Sequence, residues 1–187
     1  MAINMEQHEQ DIIRKFKNGD QEGLRMLFDL YYTPLCVFAY KYFDSYEKAE
    51  DVVQEAFINL WEKERMIEFT GSIKSYLFSI VRNNSINQVR KDSKFRFEEI
   101  ENQAFDIIED KFENQLLEER RENLYKEIAE LPTQCKNVFE AIAFDKMKYA
   151  EVAKEMDISI NTVKTHYSRA LKQLRGNLDV LVMILLP

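Results

Sequence analysis

The stretch EVAKEMDISINTVKTHYSRALKQLR, residues 151–175, constrains the fold of this chain more than any other feature. Two short apolar periodicities meet at residues 157–159, where Ser159 is suited to cap a helix by accepting an amide proton from its first turn. Beyond this cap, one face collects Val163, Tyr167, Ala170, Leu171 and Leu174. The opposite face is polar, and four Lys or Arg residues follow Ser159 up to Arg175 with no acidic residue among them. The pattern predicts two short helices, of which the second exposes a basic face.

A basic helical face has two interpretations. It can be an ordinary solvated surface, which is the commoner case when such a face is the only signal. It can also be the recognition helix of a helix-turn-helix, because Lys and Arg reach guanine edges or phosphates, while Ser and Thr reach either. The spacing of the two helices, the Ser159 cap and the absence of acidic residues favour the second interpretation.

Few residues interrupt helical periodicity in the rest of the chain. The 187 residues include only four Gly and three Pro, and 45% of them are hydrophobic, which is enough to bury a core. We therefore expect an all-α protein rather than a β-sandwich. Cys36 and Cys135 lie far apart, as in proteins of the reducing cytosol. The N-terminus lacks a signal-peptide pattern, and the apolar run LVMILL is far shorter than the ~20 residues of a membrane span, so we expect a cytoplasmic protein without stable membrane insertion.

Two helical segments flank an acidic one. Residues 6–92 predict one domain of four helices, in which Gly19 ends the first helix with a left-handed cap and Asp20 can cap the second. Residues 115–177 predict a second helical domain that contains the helix-turn-helix. Residues 93–114 show no regular apolar stripe and predict a linker that is partly disordered. Ten acidic and three basic residues lie between Phe97 and Glu122, a net of −7 that equals the net charge of the whole chain. The acidity is therefore local, and the basic helix lies outside it.

Three segments carry a resemblance to a known family. LPTQCKNVFEAIAFDKMKYAEVAKEMDISINTVKTHYSRALKQL resembles the C-terminal domain of sigma factors, which direct bacterial RNA polymerase to promoters. A similar helix-turn-helix closes many response regulators, but KAEDVVQEAFINLWEK also resembles the sigma-factor helix that binds the coiled coil of the largest polymerase subunit. FTGSIKSYLFSIVRNNSINQVRK resembles the segment that melts and reads the −10 element. Roughly residues 8–176 thus resemble an extracytoplasmic-function sigma factor of the sigma-70 family.

The resemblance implies three groups of functional residues. The polymerase-binding residues lie opposite an apolar stripe and are Asp51, Gln54 and Glu55. The −10 residues are a loop that would hold a flipped base, followed by polar and basic positions on the next helix: Phe69, Thr70, Gly71, Arg82, Asn83, Asn87 and Arg90. The −35 residues lie on the basic helix: Lys164, Thr165, His166, Ser168, Arg169 and Lys172. Phe69 equally suits a core position, and Ser168 stands where some family members carry a larger residue, which leaves the −35 preference open.

The sequence indicates a binding protein rather than an enzyme. It contains no phosphate-binding glycine loop and no nucleophile–base set, and His8 and His166 lack neighbours at metal-ligand spacing, so neither a cofactor nor a metal is expected. The expected partners are core RNA polymerase and promoter DNA, and an anti-sigma factor is a usual further partner in the family. Two alternatives stay open: an autonomous dimeric helix-turn-helix regulator with half-sites about one helical turn apart, and a helical adaptor that binds only proteins. The tail NLDVLVMILLP lies outside the resemblance.

Overall fold

The computed structural model describes residues 2–63, 72–92 and 114–186. All secondary structure in these ranges is helical, which confirms the predicted all-α class. The chain divides into two compact units, Met1–Ala104 and Phe105–Pro187. The first contains α1 (Ala2–Lys17), α2 (Gln21–Tyr40), α3 (Tyr46–Lys63) and α4 (Ile73–Asp92). The second contains α5 (Asn114–Ala129), α6 (Thr133–Ala143), α7 (Tyr149–Glu155), α8 (Ile160–Gln173), a 3₁₀ turn (Arg175–Asn177) and α9 (Leu178–Leu185). The predicted linker, residues 93–114, lies outside the described residues except for Asn114, which is the first residue of α5.

Helix α2 is the centre of the first unit and packs against α1, α3 and α4. The turn that leads into it follows from local chemistry. Gly19 adopts a φ of 75°, a left-handed conformation that glycine takes without steric cost, and the Asp20 carboxylate then accepts a hydrogen bond from Glu22 N at 2.9 Å. At Gly23, an added Cβ would lie 2.3 Å from Phe16 N, so α1 and α2 approach each other more closely than a side chain allows. The Gly19 and Asp20 caps predicted from the sequence are both confirmed.

The second unit is built around α8, which packs against α6 and α7. The predicted Ser159 cap is confirmed, since its Oγ accepts a hydrogen bond from Thr162 N at 3.0 Å. Asp157, in the turn before it, has a φ of 52°. Tyr167 is fully buried and stacks against Phe139, with centroids 6.1 Å apart. This apolar contact orients α8 so that its opposite face is turned away from the core.

The C-terminal tail forms a helix that the sequence analysis left unassigned. Four of its residues, Leu178, Val180, Leu181 and Val182, are buried. The helix packs against α5, and Asn177 Nδ2 just before it donates a hydrogen bond to Glu127 Oε1 at 3.0 Å. A segment that is apolar on nearly every side has no amphipathic period to reveal its partner, which explains why its role was missed. None of the helices within the described ranges has the length and apolar character needed to cross a membrane.

Candidate interfaces for nucleic acid and protein

Helix α8 places the predicted −35 residues on its outer side. Its inner side, Val163, Tyr167, Ala170 and Leu171, is buried. Of the predicted contacts, Thr165, Arg169 and Lys172 are exposed, and Lys164, His166 and Ser168 are half-buried. The structure therefore brings all six together along one helix, as a row of donors and cations of the kind that a DNA major groove admits.

Lys164 is positioned by the preceding helix. Its Nζ lies over the ring of Tyr149, the first residue of α7, at 5.7 Å from the centroid. This distance falls within the ~6 Å range in which the electron-rich ring face attracts a cation. The Tyr149 ring is in turn tilted against the buried ring of Tyr167, with 6.3 Å between centroids. The flexible lysine stem is thereby held on the α7 side of α8.

Thr165 makes a hydrogen bond within α8 that determines which chemical groups its side chain can present to a base. Its Oγ1 donates to Asn161 O at 2.8 Å, one turn earlier in α8. With the hydroxyl proton used within the helix, the oxygen presents acceptor lone pairs and the side chain presents a methyl group. These suit an amino group on a base edge or a thymine methyl in the major groove.

On the outer side of α8, His166 and Arg169 lie toward α6, whereas Lys164 lies toward α7. The His166 Nδ1 is 3.5 Å from the Sγ of Cys135, in the first turn of α6. Both α8 residues line an open cavity of about 450 Å³ together with Pro132, Thr133, Gln134, Cys135 and Gln173. The cations of α8 are therefore divided, with Lys164 next to α7 and Arg169 next to the start of α6. Among the residues that the structure describes, no three His, Cys, Asp or Glu side chains are grouped so as to hold a metal ion.

Helix α4 carries the described part of the −10 group. Asn83, Asn87 and Arg90 are exposed and recur at four- and three-residue spacing, so they share one face, and Arg82 beside them is half-buried. The inner side of α4 is fixed by Ile73, Leu77, Phe78 and Val81, which are buried. The predicted loop residues Phe69, Thr70 and Gly71 lie outside the described residues.

Helix α3 exposes all three predicted polymerase-binding side chains. Asp51, Gln54 and Glu55 face solvent, whereas Val52, Val53, Ala56, Phe57 and Leu60 are buried. Ile58, which was not predicted from the sequence, is 56% exposed and lies one turn after Gln54 on the same face. Its four-residue spacing from Gln54 was the available signal. We name these four residues, Asp51, Gln54, Glu55 and Ile58, the α3 surface.

A hydrogen-bonded group lies beneath this surface. Gln54 Nε2 donates to Tyr32 Oη of α2 at 3.2 Å, and Tyr32 Oη lies 3.5 Å from Glu50 Oε1. Glu50 is only 6% exposed. Burial raises the pKa of Tyr32 well above its ordinary value of 10.0, and the nearby Cys36 thiol and Glu50 charge act in the same direction. Tyr32 is therefore a neutral phenol with its proton in place. Neither Tyr32 nor Glu50 was predicted, because their contact joins two helices.

Comparison with known proteins matches two separate segments of the chain to family models. The family model for sigma-70 region 2 matches residues 27–95, and that for sigma-70, region 4 matches residues 121–174. The ECF RNA polymerase sigma factor SigW of Bacillus subtilis (strain 168) is 24% identical over 176 residues, which cover 89% of this chain and 94% of SigW. The ECF RNA polymerase sigma-E factor of Escherichia coli (strain K12) is 24% identical over 184 residues, with 93% and 96% covered.

Two solved structures are also similar. CnrH in complex with the cytosolic domain of CnrY has 19% sequence identity and a TM-score of 0.41, and the match covers 91% of this chain and 97% of that one. The sigma factor RpoE in complex with the anti-sigma factor NepR from Bartonella quintana has 22% identity and a TM-score of 0.33, with 82% and 95% covered.

Region 2 followed by region 4 does not favour an autonomous helix-turn-helix regulator, which would need only the second of these. The relatives match over nearly the full length of both chains and are named as sigma factors. The chain therefore belongs to the sigma-70 family of RNA polymerase sigma factors and is similar throughout to its extracytoplasmic-function members.

Proposed function

We propose that this chain acts in the cytoplasm as a promoter-specificity subunit, with three separate faces in named roles. The α3 surface binds core RNA polymerase. The face of α4 that carries Asn83, Asn87 and Arg90 contacts the melted −10 strand, with Phe69, Thr70 and Gly71 as the base-holding loop. The outer side of α8 reads the −35 element in the major groove. The expectation of an anti-sigma partner rests on the family alone.

The observation that carries this proposal is the exposure pattern of α8. A helix with a fully buried Tyr167 on one side and exposed Thr165, Arg169 and Lys172 on the other has a fixed orientation and a cationic outer face. The second unit is thus suited to duplex DNA, which presents phosphates along the groove walls and base edges between them. The α3 surface of the first unit has the opposite charge, since it contains two carboxylates and no cation.

The test is run-off transcription with purified core polymerase on a template pool with randomised −35 and −10 segments. We expect transcripts to depend on the chain and to enrich one pair of elements. The double variant Asp51→Lys/Glu55→Lys should abolish core binding in a pull-down and should abolish transcription, while helicity stays unchanged. A matched control, Asp11→Lys/Asp29→Lys, makes the same charge change at exposed residues of α1 and α2 and should retain both.

Two results would contradict the proposal. One is unchanged core affinity of the Asp51→Lys/Glu55→Lys variant. The other is tight, core-independent binding of duplex DNA with two-fold related half-sites, which is the behaviour of a dimeric regulator.

A further inference from the structure

We infer that Tyr32 and Glu50 are positioning residues that hold Gln54 with its amide nitrogen inward and its carbonyl oxygen outward, so that the polar part of the α3 surface presents mainly acceptors. This inference rests on the proposed role of that surface in binding core polymerase. Tyr32 and Glu50 lie outside the predicted site, yet they determine which hydrogen-bonding groups the site presents to its partner.

The direction of the Gln54 amide follows from the order of the contacts. Glu50 is a nearly buried carboxylate, and an ionised carboxylate can only accept hydrogen bonds. The Tyr32 hydroxyl has one proton, and two groups on its inner side can accept that proton: Glu50 Oε1, at 3.5 Å, and the sulfur of Cys36, which is the weaker acceptor. The lone pairs of Tyr32 Oη are then left for Gln54, whose amide must present an N–H, at 3.2 Å.

The consequence appears on the outer side of α3. With its amide nitrogen on Tyr32, Gln54 has its carbonyl oxygen left for the exposed side of α3, where Asp51 and Glu55 are exposed as well. All three groups accept hydrogen bonds through oxygen. The complementary partner surface is therefore rich in Arg, Lys or other N–H donors, and a partner that presents carboxylates is disfavoured.

The hydrogen bond from Gln54 to Tyr32 also reduces the conformational entropy that Gln54 loses on binding. An exposed glutamine normally samples several rotamers, and immobilising it at an interface costs conformational entropy. Tyr32 has already restricted Gln54 in the unbound protein. The Tyr32 ring itself is fixed by stacking on Phe28, with centroids 4.3 Å apart and planes 22° from parallel. Removing only the hydroxyl of Tyr32 should therefore leave its ring in place and release Gln54.

The experiment compares Tyr32→Phe, Gln54→Ala and the double variant by measuring the affinity for core polymerase. We expect Tyr32→Phe to weaken binding by about threefold to tenfold, the size of one hydrogen bond. We expect the double variant to bind no more weakly than Gln54→Ala alone, because Tyr32 acts through Gln54. Glu50→Gln keeps an acceptor for the Tyr32 proton and should retain most of the affinity, whereas Glu50→Leu should not. Tyr125→Phe, at an exposed tyrosine of α5, is the control and should change nothing.

A second readout separates positioning from stability. The side-chain amide resonances of Gln54 should shift in Tyr32→Phe, and the loss of core affinity should exceed what any fall in melting temperature explains. Additive effects of Tyr32→Phe and Gln54→Ala, or unchanged core affinity of Tyr32→Phe, would overturn the inference. If Asp51→Lys/Glu55→Lys still binds core normally, the proposed function fails. If that variant loses binding while Tyr32→Phe does not, the inference alone fails.

Discussion

Lys164 Nζ lies 5.7 Å from the centroid of the Tyr149 ring, so a residue of α7 holds a cation of α8. The ring also contacts buried Tyr167, which connects the core of the second unit to the outer side of α8. This contact makes the position of Lys164 depend on a side chain that is not itself predicted to touch DNA.

We expect Tyr149→Leu to relax the −35 preference at the base pair that Lys164 reads, and Tyr149→Phe to retain it. An exposed cation–π contact contributes ~0.5–1 kcal/mol, so the affinity for the preferred −35 element should fall by about twofold to fivefold. Transcription of a promoter library by each variant measures this. Lys164→Ala and Thr165→Ala should both change the preference. If both leave the −35 preference and the output unchanged, the recognition-helix assignment is wrong.

Arg169 is expected to bind mainly phosphate. It lines the cavity at the start of α6, whose N-cap residue Pro132 makes no side-chain hydrogen bond. The first-turn amides of α6 form the positive end of the helix dipole, which favours a bound anion such as a phosphate. Arg169→Ala should therefore weaken all −35 sequences by a similar factor and should lower the salt slope of DNA binding by about one unit. Fluorescence titrations of duplex DNA at several salt concentrations measure the slope. A loss confined to one base pair, of ~1–3 kcal/mol, would instead indicate that Arg169 reads a guanine.

Asn83 on α4 is predicted to act on melted DNA only. Asn83→Ala should reduce permanganate reactivity of the −10 segment in the open complex, because one base-edge contact is lost, while binding of the −35 duplex by the second unit stays unchanged. Asn84→Ala is a control of the same residue type, at a half-buried position rotated away from the Asn83 face, and should melt DNA normally. Normal melting by Asn83→Ala would contradict its role.

Local signals predicted much of the fold and less of the site. Gly19, Asp20 and Ser159 each act through neighbours within a few residues, so their sequence context was sufficient to place the helix boundaries. The alternation of exposed and buried positions on α3 and α8 was also readable from spacing. Helix α9 and the Tyr32–Glu50–Gln54 contacts were not, because each depends on which helix lies alongside, and no periodicity within one segment carries that information.

Cys36 should make the first unit less stable at alkaline pH. Burial raises its pKa well above the ordinary value of 9.0, and the Glu50 charge adds to the effect, while hydrogen bonds with Tyr32 and Tyr46 oppose it. The folded protein therefore keeps the thiol proton at a pH where the unfolded chain releases it. Its stabilising contribution is complete below pH 9 and is lost as the pH rises further.

Urea denaturation in reducing buffer from pH 7 to pH 10.5 tests this effect of Cys36. The free energy of unfolding should fall more steeply above pH ~9 for the native chain than for Cys36→Ala, by up to about 1.4 kcal/mol per pH unit. Comparing the two curves removes the titration of groups that both proteins share. Parallel curves would show that Cys36 ionises equally in the folded and unfolded states.

Ile58 should add an apolar contact to the α3 surface. It is 56% exposed and lies seven residues after Asp51, so it extends the α3 surface by one helical turn beyond Gln54. Covering its exposed half at an interface contributes about 1 kcal/mol, so Ile58→Ala should weaken core binding roughly fivefold without lowering the melting temperature. Ile58→Met keeps the apolar volume and should bind nearly as well, whereas Ile58→Asp should bind much more weakly. Ile160→Ala truncates an isoleucine that is 46% exposed on α8 and serves as the matched control in the other unit. Equal core affinity of Ile58→Asp and the native chain would place Ile58 outside the polymerase contact.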